Sequence, residues 1–242
     1  MFDKWMQYSY AAQKQQRHQL IKFIFGVLVF FIIYNCVVSF FISIWVIDND
    51  TMQPGLAAGD RLVFSSFTLP EIIFGDKNEE KTLPFKRGSI VLIDKGNLRN
   101  KNTALRIVDG VVRFVSIQRM SIFSKEEQFF IKRVIALPGD EISMTNFIFR
   151  VRPAGSPYSL TEFELAEKPY HPSIPKIPAF WDESLPFSGN MDAITLGPDE
   201  CFVVSDDRGN TNDSRTWGTV PSSMITARAL LRFWPVVKIN LL

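Results

Sequence analysis

The chain has 242 residues, 46% of them hydrophobic, and a formal net charge of +2 from 27 basic and 25 acidic residues. That length and apolar content supply a core for one sizeable domain or two small ones and exclude wholesale disorder. Residues 1–22 hold Lys4, Lys14, Arg17 and Lys22 against Asp3 alone, so the remainder is nearly neutral and carries no nucleic-acid footprint.

From Phe23 to Ile47 run 25 residues without a charge, "FIFGVLVFFIIYNCVVSFFISIWVI", enough for a helix across a hydrocarbon core of roughly 30 Å. A removable secretory signal is the alternative, but its apolar region spans only about 7–15 residues, and no small-x-small site separates this run from Asp48. The basic flank "KQQRHQLIK" before the run, with Asp48 and Asp50 after it, places the N-terminus in the cytoplasm. The sequence therefore predicts a cytoplasmic segment 1–22, a transmembrane helix 23–47 and an extracytoplasmic domain 48–242. Cys36 lies in the apolar run and Cys201 far from it, so no intramolecular disulfide is expected.

The extracytoplasmic part reads as mostly β. "DRLVFSSF", "GSIVLID", "GVVRFVSIQR", "FFIKRVIAL", "FIFRVR", "ECFVVSD" and "ITARALLRFW" are rich in Val, Ile and Phe and bounded by turn residues. Helical periodicity is confined to "SSMIT" and "SLTEFELAEK", which favours an antiparallel sheet or barrel-like fold over a doubly wound one. Two stretches read as insertions or long loops: "TLPEIIFGDKNEEKTLPFKRG", and a loop-rich β insertion over about 143–198, where Pro153 to Pro198 holds eight of the fourteen prolines. The second is expected to decorate the core. The terminal "LLRFWPVVKINLL" is too short to span a bilayer and reads as a closing strand with an apolar tail.

Histidine-dependent nucleophilic catalysis is poorly supported, because His18 lies on the cytoplasmic flank and His171 in the proline-rich loop. Two isolated histidines and two isolated cysteines supply no metal-ligand cluster. Lys132, in "FFIKRVIALPGDE", shares a strand face with Phe130 and Val134, an apolar setting that lowers an amine's pKa toward neutrality and makes it a general base. The bland alternative is an edge-strand charge whose stem covers apolar neighbours. "SDDRGNTNDSRTWGTVP" reads either as a site or as an ion-paired scaffold loop. Thr51 alone reads more simply as a turn or cap residue than as a nucleophile.

Taken in order, the anchor, "DTMQPGL…GDRLVF", "KRGSIVLI", "FIKRVIALPGDEI" and "SDDRGNTNDSRTWGTVP" resemble the type I signal peptidases. The four segments cover about a quarter of the chain. The resemblance implies a serine-type endopeptidase of the inner (cytoplasmic) membrane that removes N-terminal signal peptides from exported preproteins, with no cofactor and no metal. Its partners would be signal peptides with Ala-x-Ala cleavage sites and the lipid bilayer, and no nucleic acid. Lys132 matches the family's basic lysine, and Thr51 stands where the family has its nucleophilic serine, giving a Thr-Lys dyad. Thr211 matches a serine that hydrogen-bonds the lysine, Asp213 and Arg215 match the pair that props the site, and Asn49 matches an oxyanion-binding position. Trp45, Ile47, Met52, Leu56 and Phe130 match positions lining the substrate pockets. Asp50 and Ser205 depart from the family by replacing glycines, and a carboxylate at 50 would raise the lysine's pKa. Two further readings follow: a noncatalytic homologue that binds exported chains or a partner peptidase, and a regulatory self-cleaving protein.

Overall fold

The computed structural model describes residues 10–66, 83–95, 129–176 and 189–242. Helix α1, Tyr10–Phe41, opens the chain, and its Lys14–Tyr34 portion is long and apolar enough to cross a membrane, with none of it buried by the rest of the molecule. Phe23, Phe25 and Phe30 project outward and are exposed. The expected helix over 23–47 stops short at Phe41. Ile42–Val46 is instead strand β1, paired antiparallel with β2, Arg61–Ser66, from Ile42 opposite Ser65 to Val46 opposite Arg61. Four of its five side chains are β-branched or aromatic, types that fit a pleated surface, and pairing with β2 overrides the apolar periodicity that continues the helix.

The other strands are β3 Ile90–Asp94, β4 Phe129–Ala136, β5 Glu141–Thr145, β6 Ile148–Arg152, β7 Leu160–Thr161, β8 Met191–Thr195, β9 Glu200–Val204, β10 Val220–Pro221, β11 Ile225–Trp234 and β12 Asn240–Leu241. Two short helices join them, α2 at Glu162–Leu165 and α3 at Ser214–Trp217. The larger sheet runs β1-β2-β11-β3-β4-β9-β10, with β12 paired to β11, and the smaller runs β7-β6-β5-β8. All named pairings are antiparallel. The mostly β, antiparallel reading therefore holds. The expected strand "GVVRFVSIQR" and most of the first long loop lie outside the described residues.

Alternation along β4 distributes its side chains among three core clusters. Phe129 and Ile131 pack with Ile47, Met52, Leu56, Leu62 and Phe64; Phe130 and Val134 pack with Val91, Ile93, Cys201 and Val203. Ile135 and Ala136 join a third cluster with Ile142, Met144, Phe149, Val151 and Leu196. The 143–198 segment thus holds strands of its own and contributes Met144, Phe149, Val151 and Leu196 to a core shared with β4 and β9. Leu137-Pro138-Gly139-Asp140 turns the chain from β4 into β5, with the Asp140 N–H bonded to the Leu137 carbonyl. Gly139 takes a φ of 80° there, which a side chain would strain. Cys201 is a buried free thiol, pushed up to about 12 by burial and then by Asp199 and Asp140, and is chemically inert.

Candidate active site

Lys132 sits on the apolar face expected of it. It is 1% exposed, lies across from Val91 in the β3–β4 register, and has the Trp217 ring 5.8 Å from its Nζ. Burial lowers its pKa from 10.5 to about 8. Asp213 pulls it back upward, Arg215 pushes it down, and Asp206 and Lys95 act more weakly in opposite directions. Lys95 itself rests 3.3 Å from the Trp217 ring centroid. A neutral amine is therefore accessible close to neutral pH.

The amine's hydrogen-bond partner is Ser205, not Thr211. Lys132 Nζ donates to Ser205 Oγ at 2.8 Å, whereas Thr211 receives the Thr216 hydroxyl on its backbone carbonyl at 2.6 Å. The reason lies in register. β4 and β9 align Arg133 with Val204 and Val134 with Val203, so one more residue along this antiparallel ladder sets Ser205 opposite Lys132. The next residue, Asp206, takes both Arg133 Nε and Nη2 in a bidentate pair, and Arg133 Nη1 donates to the Gly88 carbonyl. This pairing was available in principle from aligning "FIKRV" against "FVVSD", but only once the two strands were known to be neighbours.

Asp213 and Arg215 form a buried ion pair with each other. Asp213 accepts the Ser205 N–H, the Arg215 N–H and the Arg215 side chain, while Arg215 also donates to the carbonyls of Arg208 and Asn210. Burial alone would raise the Asp213 carboxyl; Arg215's hydrogen bonds and charge and the backbone N–H donors outweigh it and leave it below the ordinary value. Asp213 also caps α3, which Gly218 terminates with a φ of 82°.

Thr51 is 9% exposed and tied to the same loop, its carbonyl accepting the Asp207 N–H at 3.0 Å. Its hydroxyl donates to Asn49 Oδ1 at 2.7 Å, and its N–H leans on the same oxygen at 3.2 Å. Asn49 thus presents its amide oxygen, not its N–H, toward Thr51, because an Asn carbonyl captures the N–H two residues onward in an Asx turn. The Asp50 carboxylate, expected to act on the lysine, accepts the Ala58 N–H instead, and the anions that raise Lys132 are Asp213 and Asp206.

Among the expected pocket residues, Ile47, Met52 and Leu56 are core side chains. Trp45 stays partly exposed and packs tilted against Phe129 with centroids 4.9 Å apart; Phe130 meets Trp217 edge-on at 5.0 Å.

Residues 17–234 match the family described as signal peptidase, peptidase S26. A probable signal peptidase I-1 of Synechocystis sp. is 36% identical over 108 residues, 45% of this chain and 44% of that protein. A signal peptidase I of Leptolyngbya laminosa is 28% identical over 196 residues, 80% of this chain and 70% of that one. Signal peptidase I P of Bacillus subtilis subsp. natto is 25% identical over 241 residues, 99% of this chain and 98% of that one. The matched region thus spans less than half of the Synechocystis protein and nearly all of the Bacillus one.

Proposed function

Because the chain belongs to the signal peptidase family, peptidase S26, we propose that it is a membrane-anchored endopeptidase that removes N-terminal signal peptides from exported preproteins. The observation that carries this reading is Lys132, a buried amine lowered to about 8 beside a loop hydrogen-bonded to Thr51. In this reading the Thr51 hydroxyl gives its proton to Lys132 Nζ as Oγ1 attacks the scissile carbonyl carbon. Collapse of the tetrahedral intermediate breaks the C–N bond, and Lys132 hands the proton to the leaving amine. Water then loses a proton to Lys132 and attacks the Thr51 ester; the ester C–O bond breaks, Oγ1 takes the proton back from Lys132, and the signal peptide leaves. Asp213 and Arg215 hold the loop throughout, and no metal or cofactor takes part.

The substrate lies extended along the site by backbone hydrogen bonding, with small residues preferred at Ala-x-Ala positions. In this reading Trp45 and Phe130 meet the substrate's side chains, with Ile47, Met52 and Leu56 packed behind Trp45 in the core. Rotation of the Asn49 amide on substrate binding exchanges its Oδ1 for an N–H donor toward the developing oxyanion. Helix α1 holds the domain at the extracytoplasmic surface of the inner membrane, with the basic residues 14–22 on the cytoplasmic side.

One observation favours a second reading. The Thr51 hydroxyl donates its hydrogen bond to Asn49 Oδ1 in the free protein, which suits a noncatalytic homologue that binds exported chains. Incubation of the detergent-solubilised protein with a preprotein bearing an Ala-x-Ala site separates the two. Catalysis yields a product whose N-terminal sequence begins immediately after that site; saturable binding with an intact preprotein supports the second reading and rejects the first.

A further inference from the structure

Lys132 is fixed by a residue other than the one its motif position suggests. Its Nζ meets Ser205 Oγ at 2.8 Å, and both side chains are sealed from solvent, at 1% and 0% exposure. Ser205 is held from two directions. It follows β9 directly, in register with β4, and its own N–H donates to Asp213 Oδ2 at 2.9 Å. Asp213 is in turn locked by Arg215. Thr211 is engaged with Thr216 through its backbone carbonyl.

We propose that Ser205 is a positioning residue, whose hydroxyl oxygen fixes the rotation of the Lys132 amine and so the direction of its lone pair. The inference rests on the peptidase reading. A neutral amine has two N–H donors and one lone pair, and its terminal group rotates freely unless something holds it. An oxygen that accepts one N–H commits that direction to Ser205 and leaves the lone pair in one of the remaining two. Ser205 is fully buried, so it touches no substrate, and its effect reaches the reaction only through the lysine. Acceptance also has a second consequence. A hydroxyl oxygen bonds an ammonium more strongly than an amine, so Ser205 stabilises the protonated lysine and opposes the downward pull of burial.

The test compares Ser205→Ala and the near-isosteric Ser205→Cys, a poor acceptor, with Thr211→Val in the full chain. Both Ser205 variants are expected to lower kcat about ten- to hundred-fold with KM little changed, the range a lost hydrogen bond to a charged group gives. The ascending limb of the pH profile should move to lower pH, and Thr211→Val should lose at least tenfold less. A larger loss in Thr211→Val, or Ser205 variants with the parent's kcat and pH limb, would overturn the assignment. The second readout needs no turnover: titration of the Lys132 13Cε resonance, assigned by its disappearance in Lys132→Ala. The Lys132 pKa should fall in Ser205→Ala and Ser205→Cys while circular dichroism reports an unchanged fold. An unchanged Lys132 titration rejects the proposal even if the parent cleaves nothing, whereas a lowered one in an inactive parent retains the pairing and faults the peptidase reading instead.

Discussion

At the scale of single residues, Lys132 is where function and stability oppose one another. Its pKa in the folded protein, about 8, lies below the 10.5 of a free lysine, so the unfolded chain holds the proton more tightly. Below pH 8 the buried ammonium opposes folding by about 3 kcal/mol, and the opposition fades as pH rises from about 8 to about 10.5. Lys132→Met is therefore expected to gain up to about 3 kcal/mol in urea unfolding at pH 7, with no gain near pH 11. Activity should follow the opposite logic, rising with pH through about 8 as the amine becomes neutral; a flat initial-rate profile between pH 6 and 9 would remove the lysine base. The lysine's character was legible in "FFIKRV", since alternation alone puts Lys132 with Phe130 and Val134 on a buried face. Its partner was not. "NTNDSR" supplies a hydroxyl at the family's usual position, and only strand pairing reveals that the neighbouring "VVSD" delivers Ser205 first.

β4 and the residues leaving β9 exchange two successive polar contacts on opposite faces, Lys132 with Ser205 and Arg133 with Asp206, so one ladder serves both the base and a buried ion pair. Arg133 also lies 3.9 Å from the Tyr170 ring centroid, joining the proline-rich segment to the site. Arg133→Met leaves the Asp206 carboxylate buried without its cation, and should destabilise the protein by about 3–5 kcal/mol in chemical denaturation. The loop after β9 is clamped from its far side as well. Arg208, fully buried, donates to both Glu162 oxygens and to the Phe147 carbonyl, and Tyr170 donates to Glu162 from the same segment. The composition of 143–198 signals its turns through proline, but nothing in it signals that Glu162 and Tyr170 reach across to Arg208. Such contacts depend on how two sheets meet, not on any local pattern.

For the whole molecule, the boundary between anchor and domain is the informative correction. The charge-free run continues to Ile47, yet the last five residues before it belong to the sheet, and Ile47 to the core. Apolar strands and membrane helices use the same residue types, so the helix is legible in the sequence and its end is not. A fragment 42–242 in detergent should keep the thermal transition of the full chain. A fragment 48–242 loses β1 and Ile47, whose core contribution alone is about 2–5 kcal/mol, and should melt several degrees lower or fail to fold. Equal transitions in the two fragments would show β1 to be dispensable. In the proposed reaction Thr51 and Lys132 act together as nucleophile and base. The measurement that tests it most directly is cleavage of one Ala-x-Ala preprotein by the parent, Thr51→Ala and Lys132→Ala proteins, side by side. Processing by the parent and none by either variant is the expected outcome; cleavage that survives either substitution rules the dyad out.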